Sequence, residues 1–513
     1  MTDQLIDRLR ADLTAADFTV EAVTGLWGAE ADEALARGHR VPATRALDAA
    51  EIPGIPPLAA ATLARLFVLG LPVALGRADD ALPRLGVDGA TRLELLEPHG
   101  DSGREVRARV DLRPYAFEDA FGAVSWWIMS DLGELATGGP LRVDHVLGIG
   151  GASRTLSRLI IQDPVASALD LGTGCGIQAM HASRHAAHVV ATDISQRALD
   201  VAAFNARLNG ISSIEFRLGS LFEPVAGETF DHIISNPPFV ITPRQQGVPN
   251  YEYRDGGMVG DSLVAAVFAA VPTHLNPGGV AQLLGNWEYK EGADAFDRLE
   301  GWLDAAADRG EAVDAWIIER DQEDDARYAE TWIRDGGTRS GEDFDRLSHA
   351  WLDDFEHRGV EAVGFGYVTL RRPRHAASLR RLERIGTPLA PGIGLGEVIA
   401  EGLRRHDWSL ARSDAALGVE KLTVAGDVTE ERSYWPGNDD PTVIVLKQGG
   451  GLGRTVSVDT GLAALVGACD GDLSLTAIIG AIAQLLEVDE DALRAELLPR
   501  VRALVVDGFL DPR

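Results

Sequence analysis

The stretch that most limits the possible folds is residues 165–193, VASALDLGTGCGIQAMHASRHAAHVVATD. Its first part, VASALDLG, is a continuous apolar run and reads as a strand buried on both faces. Glycines at 172, 174 and 176 interrupt it. IQAMHASRHA then has helical spacing, and HVVATDIS is a second apolar strand ending at Asp193. Strand, glycine turn, helix, strand opens a mostly parallel sheet with helices on both faces. The alternation continues. QRALDVAAFNARLNG reads as a helix stopped by Gly210, SIEFRLGS and FDHIIS as strands, and DSLVAAVFAAVPTHLNPGG as a helix and a turn. VAQLLGNWEY, AVDAWIIE and GVEAVGFGYVTLRR read as the remaining strands. The charged segment 321–357 reads as a helical insertion before the last of them, with DQEDDARYAETW a solvated helix face.

The chain has 513 residues, enough for about two to four domains. Three are expected: a helical, winged-helix-like domain over 1–140, the α/β domain over 141–375, and a winged-helix-like α+β domain over 376–513. The first rests on helical spacing in LARLFVLGLPV and on polar–apolar alternation in GREVRARVDLRPYAF. GIGGAS, at 148–153, reads as a linker. Cys175 and Cys469 stand alone in unlike contexts, which excludes a disulfide scaffold and fits a reducing cytoplasm. The opening MTDQLIDRLRADL lacks the apolar core of a signal peptide. PLAAATLARLFVLGLPVALG carries Arg65 and an internal proline, and reads as buried helix, not membrane span. The net charge of −30 argues against a clamp on naked nucleic acid.

The glycine loop lets a ligand approach the main chain closely, and Asp193 stands where a ribose diol would lie. The plain alternative is a structural turn, with Asp193 or Ser195 capping the next helix. Asp170 precedes the glycines. An acid there repels a pyrophosphate, which disfavours nicotinamide dinucleotides, but it suits the ammonium group of S-adenosylmethionine.

SNPPFVITPR, residues 235–244, follows the FDHII strand. Its prolines end the strand and stiffen the turn. A planar amide or exocyclic amine is a poor nucleophile because its lone pair is delocalised. Two acceptors, the Asn236 side-chain oxygen and the Pro237 carbonyl, would draw its N–H groups and help it attack a methyl group. Phe239 would offer a flat face for it.

DLGTGCG, ATDIS, GSLFEP, SNPPF and the later YRDGGMVGDSL together resemble the class I S-adenosylmethionine-dependent methyltransferases, and within them the methyltransferase small, HemK-like group. The resemblance implies a Rossmann-like sheet, mostly parallel with its last strand antiparallel, and a methyltransferase activity. It implies that Asp170, Gly172, Thr173, Gly174 and Gly176 hold the methionine end of S-adenosylmethionine. Asp193 would take the ribose, Ser220 and Leu221 would flank the adenine, and Asn236, Pro237 and Phe239 would hold the acceptor nitrogen. Ser220 replaces the aspartate common in the family, which weakens the expected hold on the adenine.

The favoured acceptor is a glutamine on a protein loop, as in a release factor. The alternatives are a guanine N2 or adenine N6 in rRNA or tRNA, and a non-catalytic module that binds the cofactor. No metal is expected, since His181, His185 and His188 have no carboxylate or cysteine completing a set. Trp126 and Trp127 read as packing residues, and Trp287 as a candidate substrate contact at a strand end.

Overall fold

The computed structural model describes residues 2–51, 57–101, 103–137, 141–386 and 394–512. The expected boundary at residue 140 falls beside 138–140, outside the described residues. The chain divides into two compact units, Met1–Ser157 with Asp163–Arg384, and Arg158–Gln162 with Ile385–Arg513.

The first unit is built on an eight-stranded sheet. Its strands are β1 (Val165–Leu171), β2 (Ala186–Asp193), β3 (Ile214–Leu218), β4 (Phe230–Ser235), β5 (Leu275–Lys290), β6 (Asp314–Asp324), β7 (Val360–Arg371) and β8 (Arg380–Arg384). They run in the order β3-β2-β1-β4-β5-β7-β6-β8. The first five are parallel to one another, and β7 runs antiparallel to both β5 and β6. The α/β expectation, with an antiparallel late strand, is what the chain builds. β8 is additional and runs parallel to β6 at the edge. Its sequence, RRLER, has no apolar run to announce a strand.

Six helices accompany the sheet: α1 (Ile177–Ala182), α2 (Gln196–Leu208), α3 (Ser262–His274), α4 (Ala295–Asp308), α5 (Asp325–Asp335) and α6 (Glu342–Arg358). Gly210 ends α2 with φ 73°. Its N–H and that of Ile211 reach back to the Arg207 and Ala206 carbonyls. α5 and α6 form the expected insertion between β6 and β7, but α5 is not merely solvated. Tyr328 is fully buried in it, in a cluster with Trp351 and Phe355.

Residues before the sheet form helices from Thr2–Ala15 to Ala59–Leu63, a small sheet, and a hairpin of Val110–Asp119 with Gly122–Asp131. Among the described residues the second hairpin strand has no strand partner on its far side. Side chains of α2 take that place. Asn205 accepts from the Met129 N–H at 2.8 Å and donates to its carbonyl at 2.9 Å. One turn on, Asn209 does the same for Trp127, at 2.9 Å and 2.8 Å. Trp126 packs edge-on to His181, and the Trp127 indole donates to the Phe18 carbonyl, so both tryptophans pack.

Trp287 is fully buried and donates to Glu319 at 2.6 Å. It is a core residue, because the central position of β5 buries it on both faces.

The second unit joins helix Leu395–Leu410 to a small antiparallel sheet, a strand pair and the helices Thr460–Gly467, Leu475–Leu486 and Glu490–Val506. Leu465, Ile479, Val501 and Phe509 lie in its core. Among the described residues no helix is long and apolar enough to cross a membrane.

Candidate active site

The register of the sheet builds the site. Leu171, at the end of β1, pairs with Thr192 of β2 on one side and Ser235 of β4 on the other. The next residues, Gly172, Asp193 and Asn236, therefore stand level at the carboxyl ends of adjacent strands. That is where open α/β sheets bind ligands.

The glycine loop folds over β2. Gly172 and Thr173 both donate to the Thr192 carbonyl at 2.9 Å. Gly172, Gly174 and Gly176 have φ of 75°, 54° and 85°. A Cβ at 172 or 174 would meet no protein atom within 4 Å, but at 176 it would lie 2.8 Å from Ala202 Cβ. The first two glycines leave open space beside the loop, and the third lets α1 pack against α2. The Asp193 carboxylate accepts from the Gly174 and Ser195 N–H groups, each at 2.9 Å. Burial raises its pKa, the two N–H groups oppose that rise, and the charge of Glu252 adds to it.

Asp170 is 1% exposed. One carboxylate oxygen accepts from the Thr173 hydroxyl at 2.6 Å and the Ala179 N–H at 2.8 Å. The other is buried without a hydrogen-bond partner. Burial pushes the Asp170 pKa up to about 7.

A cavity of about 300 Å³ opens over these strand ends. Gly172, Thr173, Gly174 and Asp193 lie on its wall, as do Ser220, Leu221, Asn236 and Pro237. Asp170, Gly176 and Phe239 are off it. Leu221 is held at φ 47°, in left-handed backbone that a leucine seldom adopts.

The turn after β4 is fixed from several sides. The Asn236 Oδ1 is buried and has no partner within the protein. Phe239 bridges Asp255 through the backbone, and its carbonyl accepts from Asn286 Nδ2 at 2.9 Å. The Phe239 ring packs edge-on to Trp332 and Phe365, each at 6.4 Å between centroids. The Tyr328 hydroxyl of α5 accepts from the Ile241 N–H at 3.0 Å and the Asn286 amide at 3.1 Å.

Several wall residues were not singled out from sequence. Glu252, Tyr253 and Asp255 come from the loop between β4 and α3, and His145 and Val146 from the segment before β1. Gly148 and Ser153 are also on the wall, so the segment read as a linker lines the site. The glycines of YRDGG hinted at the first group. Nothing local marks His145, which reaches the wall only through the folded chain. Asp255 is tied to Thr242 and to the Tyr251 N–H, and burial raises its pKa.

The wall fits a cationic nucleoside better than a phosphate-bearing one. Asp193, Glu252 and Asp255 are on it, and among its described residues there is no lysine or arginine. The buried Gln178 Oε1 and Thr192 Oγ1, both of wall residues, have no partner within the protein. Glycine-lined open space, unpartnered oxygens and acidic charge suit S-adenosylmethionine, with its sulfonium and ammonium.

A doubly wound sheet with an antiparallel late strand and a glycine loop after β1 is a Rossmann-like α/β architecture with a ligand crevice at its strand ends. Residues 148–293 match the methyltransferase small domain. Residues 15–109 match a domain of unknown function, DUF7059, and residues 400–512 another, DUF7782. The chain is 40% identical over 127 residues to a release factor glutamine methyltransferase of Xylella fastidiosa, covering 23% of this chain and 46% of that one. It is 35% identical over 196 residues to a ribosomal protein uL3 glutamine methyltransferase of Bradyrhizobium diazoefficiens, covering 36% and 59%. A second enzyme of the uL3 type, from Bordetella pertussis, is 36% identical over 159 residues, covering 28% and 53%. The chain thus spans about half the length of the curated relatives it matches. A methyltransferase structure from Pyrococcus furiosus aligns over 43% of this chain and 82% of its own, at 16% identity and TM-score 0.26.

Proposed function

We propose that this protein methylates the side-chain amide nitrogen of a glutamine on a protein loop, using S-adenosylmethionine. The observation that carries the reading is Asn236. It sits on the cavity wall, level with Gly172 and Asp193, in a proline-stiffened turn, with its buried Oδ1 unpartnered. Bound S-adenosylmethionine would supply an electrophilic methyl group. Asp193 would accept the ribose hydroxyls, and Ser220 and Leu221 would flank the adenine. Gly172, Thr173 and Gly174 would face the methionine end, with Asp170 opposing its ammonium charge from off the wall and Gly176 holding the loop against α2. Asn236 would accept an N–H of the target amide, a role prepared before the acceptor arrives because Pro237 and Pro238 allow the turn little freedom. In this geometry Phe239 anchors the turn through its carbonyl and ring.

The acidic wall, with no lysine or arginine among its described residues, supports a neutral amide acceptor over an RNA base, which would bring phosphates with it. The glutamine methyltransferase relatives support a protein acceptor, and buried cysteines accord with a cytoplasmic setting. The test is methyl-labelled S-adenosylmethionine offered with release factor, ribosomal protein or ribosomal RNA. Label is expected in a protein glutamine, and Asn236→Ala should cut transfer by about 100-fold or more while S-adenosylhomocysteine still binds. Label in RNA alone would overturn the acceptor, and undiminished transfer by Asn236→Ala would overturn the mechanism.

A further inference from the structure

The aromatic residue of the SNPPF turn is not the one that faces the cavity. The Phe239 ring is turned into the packing of α5 and β7, against Trp332 and Phe365, and is off the wall. A planar acceptor at Asn236 still needs a flat partner if it is to keep one orientation toward a methyl donor. Among the described residues of the wall, the large aromatic ring is that of Tyr253, from the loop between β4 and α3.

Tyr253 is partly exposed and firmly held. Its hydroxyl donates to Asp335 at the end of α5, at 3.0 Å. Asp335 also accepts from Arg254 at 2.8 Å, and Arg254 donates to the Trp332 carbonyl at 2.7 Å. The Arg254 guanidinium lies 4.6 Å from the centre of the Tyr251 ring. On the other side, His145 of the wall meets the Tyr253 ring edge-on at 5.6 Å. The polar end of the ring is thus directed to the insertion helix, the Arg254 guanidinium and the Tyr251 ring lie 5.9 Å and 5.7 Å from the ring centre, and the residue is on the cavity wall.

We infer that Tyr253, anchored by Asp335, provides the stacking face for the acceptor amide, and that α5 and α6 act as a positioning element for the acceptor. This deepens the glutamine reading above and rests on it. Asp335 acts through Tyr253 and Arg254 and touches no substrate itself.

The experiment measures kcat and KM for the methylated protein, together with S-adenosylhomocysteine affinity and thermal midpoint, in the full chain. Tyr253→Leu is expected to lower kcat/KM for the acceptor about tenfold, the scale of one lost aromatic contact, with S-adenosylhomocysteine affinity changed less than about twofold. Tyr253→Phe keeps the ring and should retain most of the activity. Asp335→Asn keeps the ring but loosens its anchor, and should raise the acceptor KM with the cofactor affinity unmoved. Phe239→Leu should lower the thermal midpoint more than it changes the acceptor KM. The inference is overturned if Tyr253→Leu leaves acceptor kinetics at wild-type values, or if S-adenosylhomocysteine affinity falls in parallel with them. Should Tyr253→Leu not fold, an unchanged acceptor KM in Asp335→Asn overturns it instead. A wild-type protein that binds S-adenosylhomocysteine but methylates no glutamine overturns the parent reading and this inference together. Wild-type transfer with an indifferent Tyr253 overturns this inference alone.

Discussion

Asp170 shows how a single buried group couples ligand binding to pH. Burial raises its pKa from 3.8 to about 7, against the opposing donors Thr173 and Ala179, while the charge of Asp193 adds to the rise. The folded state therefore favours the protonated acid. Stability from this group is fully present below pH 3.8 and is lost as pH rises to about 7. The thermal midpoint of the ligand-free protein, measured from pH 4 to 8, should fall more steeply for wild type than for Asp170→Asn. The asparagine keeps an acceptor oxygen for Ala179 but cannot ionise. Equal slopes would mean that Asp170 does not titrate in this range. A bound cationic cofactor stabilises the ionised form, so S-adenosylmethionine should flatten the wild-type slope. Asp170, Asp193 and Asn236 were legible in the sequence because glycines and prolines mark local backbone geometry. The segment that begins at Tyr253 was marked by its glycines but Tyr253 itself was given no role, and His145 was not marked at all, because it reaches the wall through contacts distant in sequence.

At the scale of elements, Asn205 fastens the hairpin before the sheet to the glycine loop. Its amide pairs with both backbone groups of Met129 and also donates to the Cys175 carbonyl at 2.9 Å. Asn205 is fully buried, so water cannot replace these bonds. Asn205→Ala leaves buried backbone groups unpaired, each costing about 1–3 kcal/mol. The expected loss is about 3 kcal/mol or more in urea unfolding. Asn209 is half-buried and makes the same pairing with Trp127. Asn209→Ala should cost only about 1 kcal/mol, because water reaches its partners. A larger loss at 209 than at 205 would contradict this account. Apolar runs made β1 to β7 legible. They could not reveal β8, whose RRLER is held by its edge pairing and by bonds such as Trp316 to Glu383 at 2.6 Å. Nor did the charges of DQEDDARYAETW reveal that Tyr328 enters the core between them, since one apolar stripe on a short charged helix is a weak pattern.

At the scale of the whole molecule, the chain visits its second unit twice. Residues 158–162 belong to that unit although the sheet of the first begins at Val165. Leu159, Ile160 and Ile161 are buried. The helix Leu395–Leu410 packs so closely on them that a Cβ at Gly396 would lie 2.1 Å from the Ile160 carbonyl oxygen. A sequence reading that cuts the chain into consecutive blocks has no means of seeing such a return, because three residues carry no periodicity. The physical consequence concerns truncation. Every residue lining the cavity belongs to the first unit, so a chain ending at residue 384 retains the whole wall. It also strips the cover from an apolar segment a few residues before β1. We therefore expect the 1–384 protein to bind S-adenosylhomocysteine when freshly prepared, yet to melt at lower temperature and to aggregate more readily than the full chain. Replacing Leu159, Ile160 and Ile161 by polar residues in the truncated protein should reduce the aggregation without changing the affinity. A truncated protein as soluble and as stable as the full chain, followed by light scattering and calorimetry, would show that 158–162 gains nothing from the second unit. Loss of ligand binding on truncation, with the sheet still folded by circular dichroism, would show that the second unit supports the wall itself.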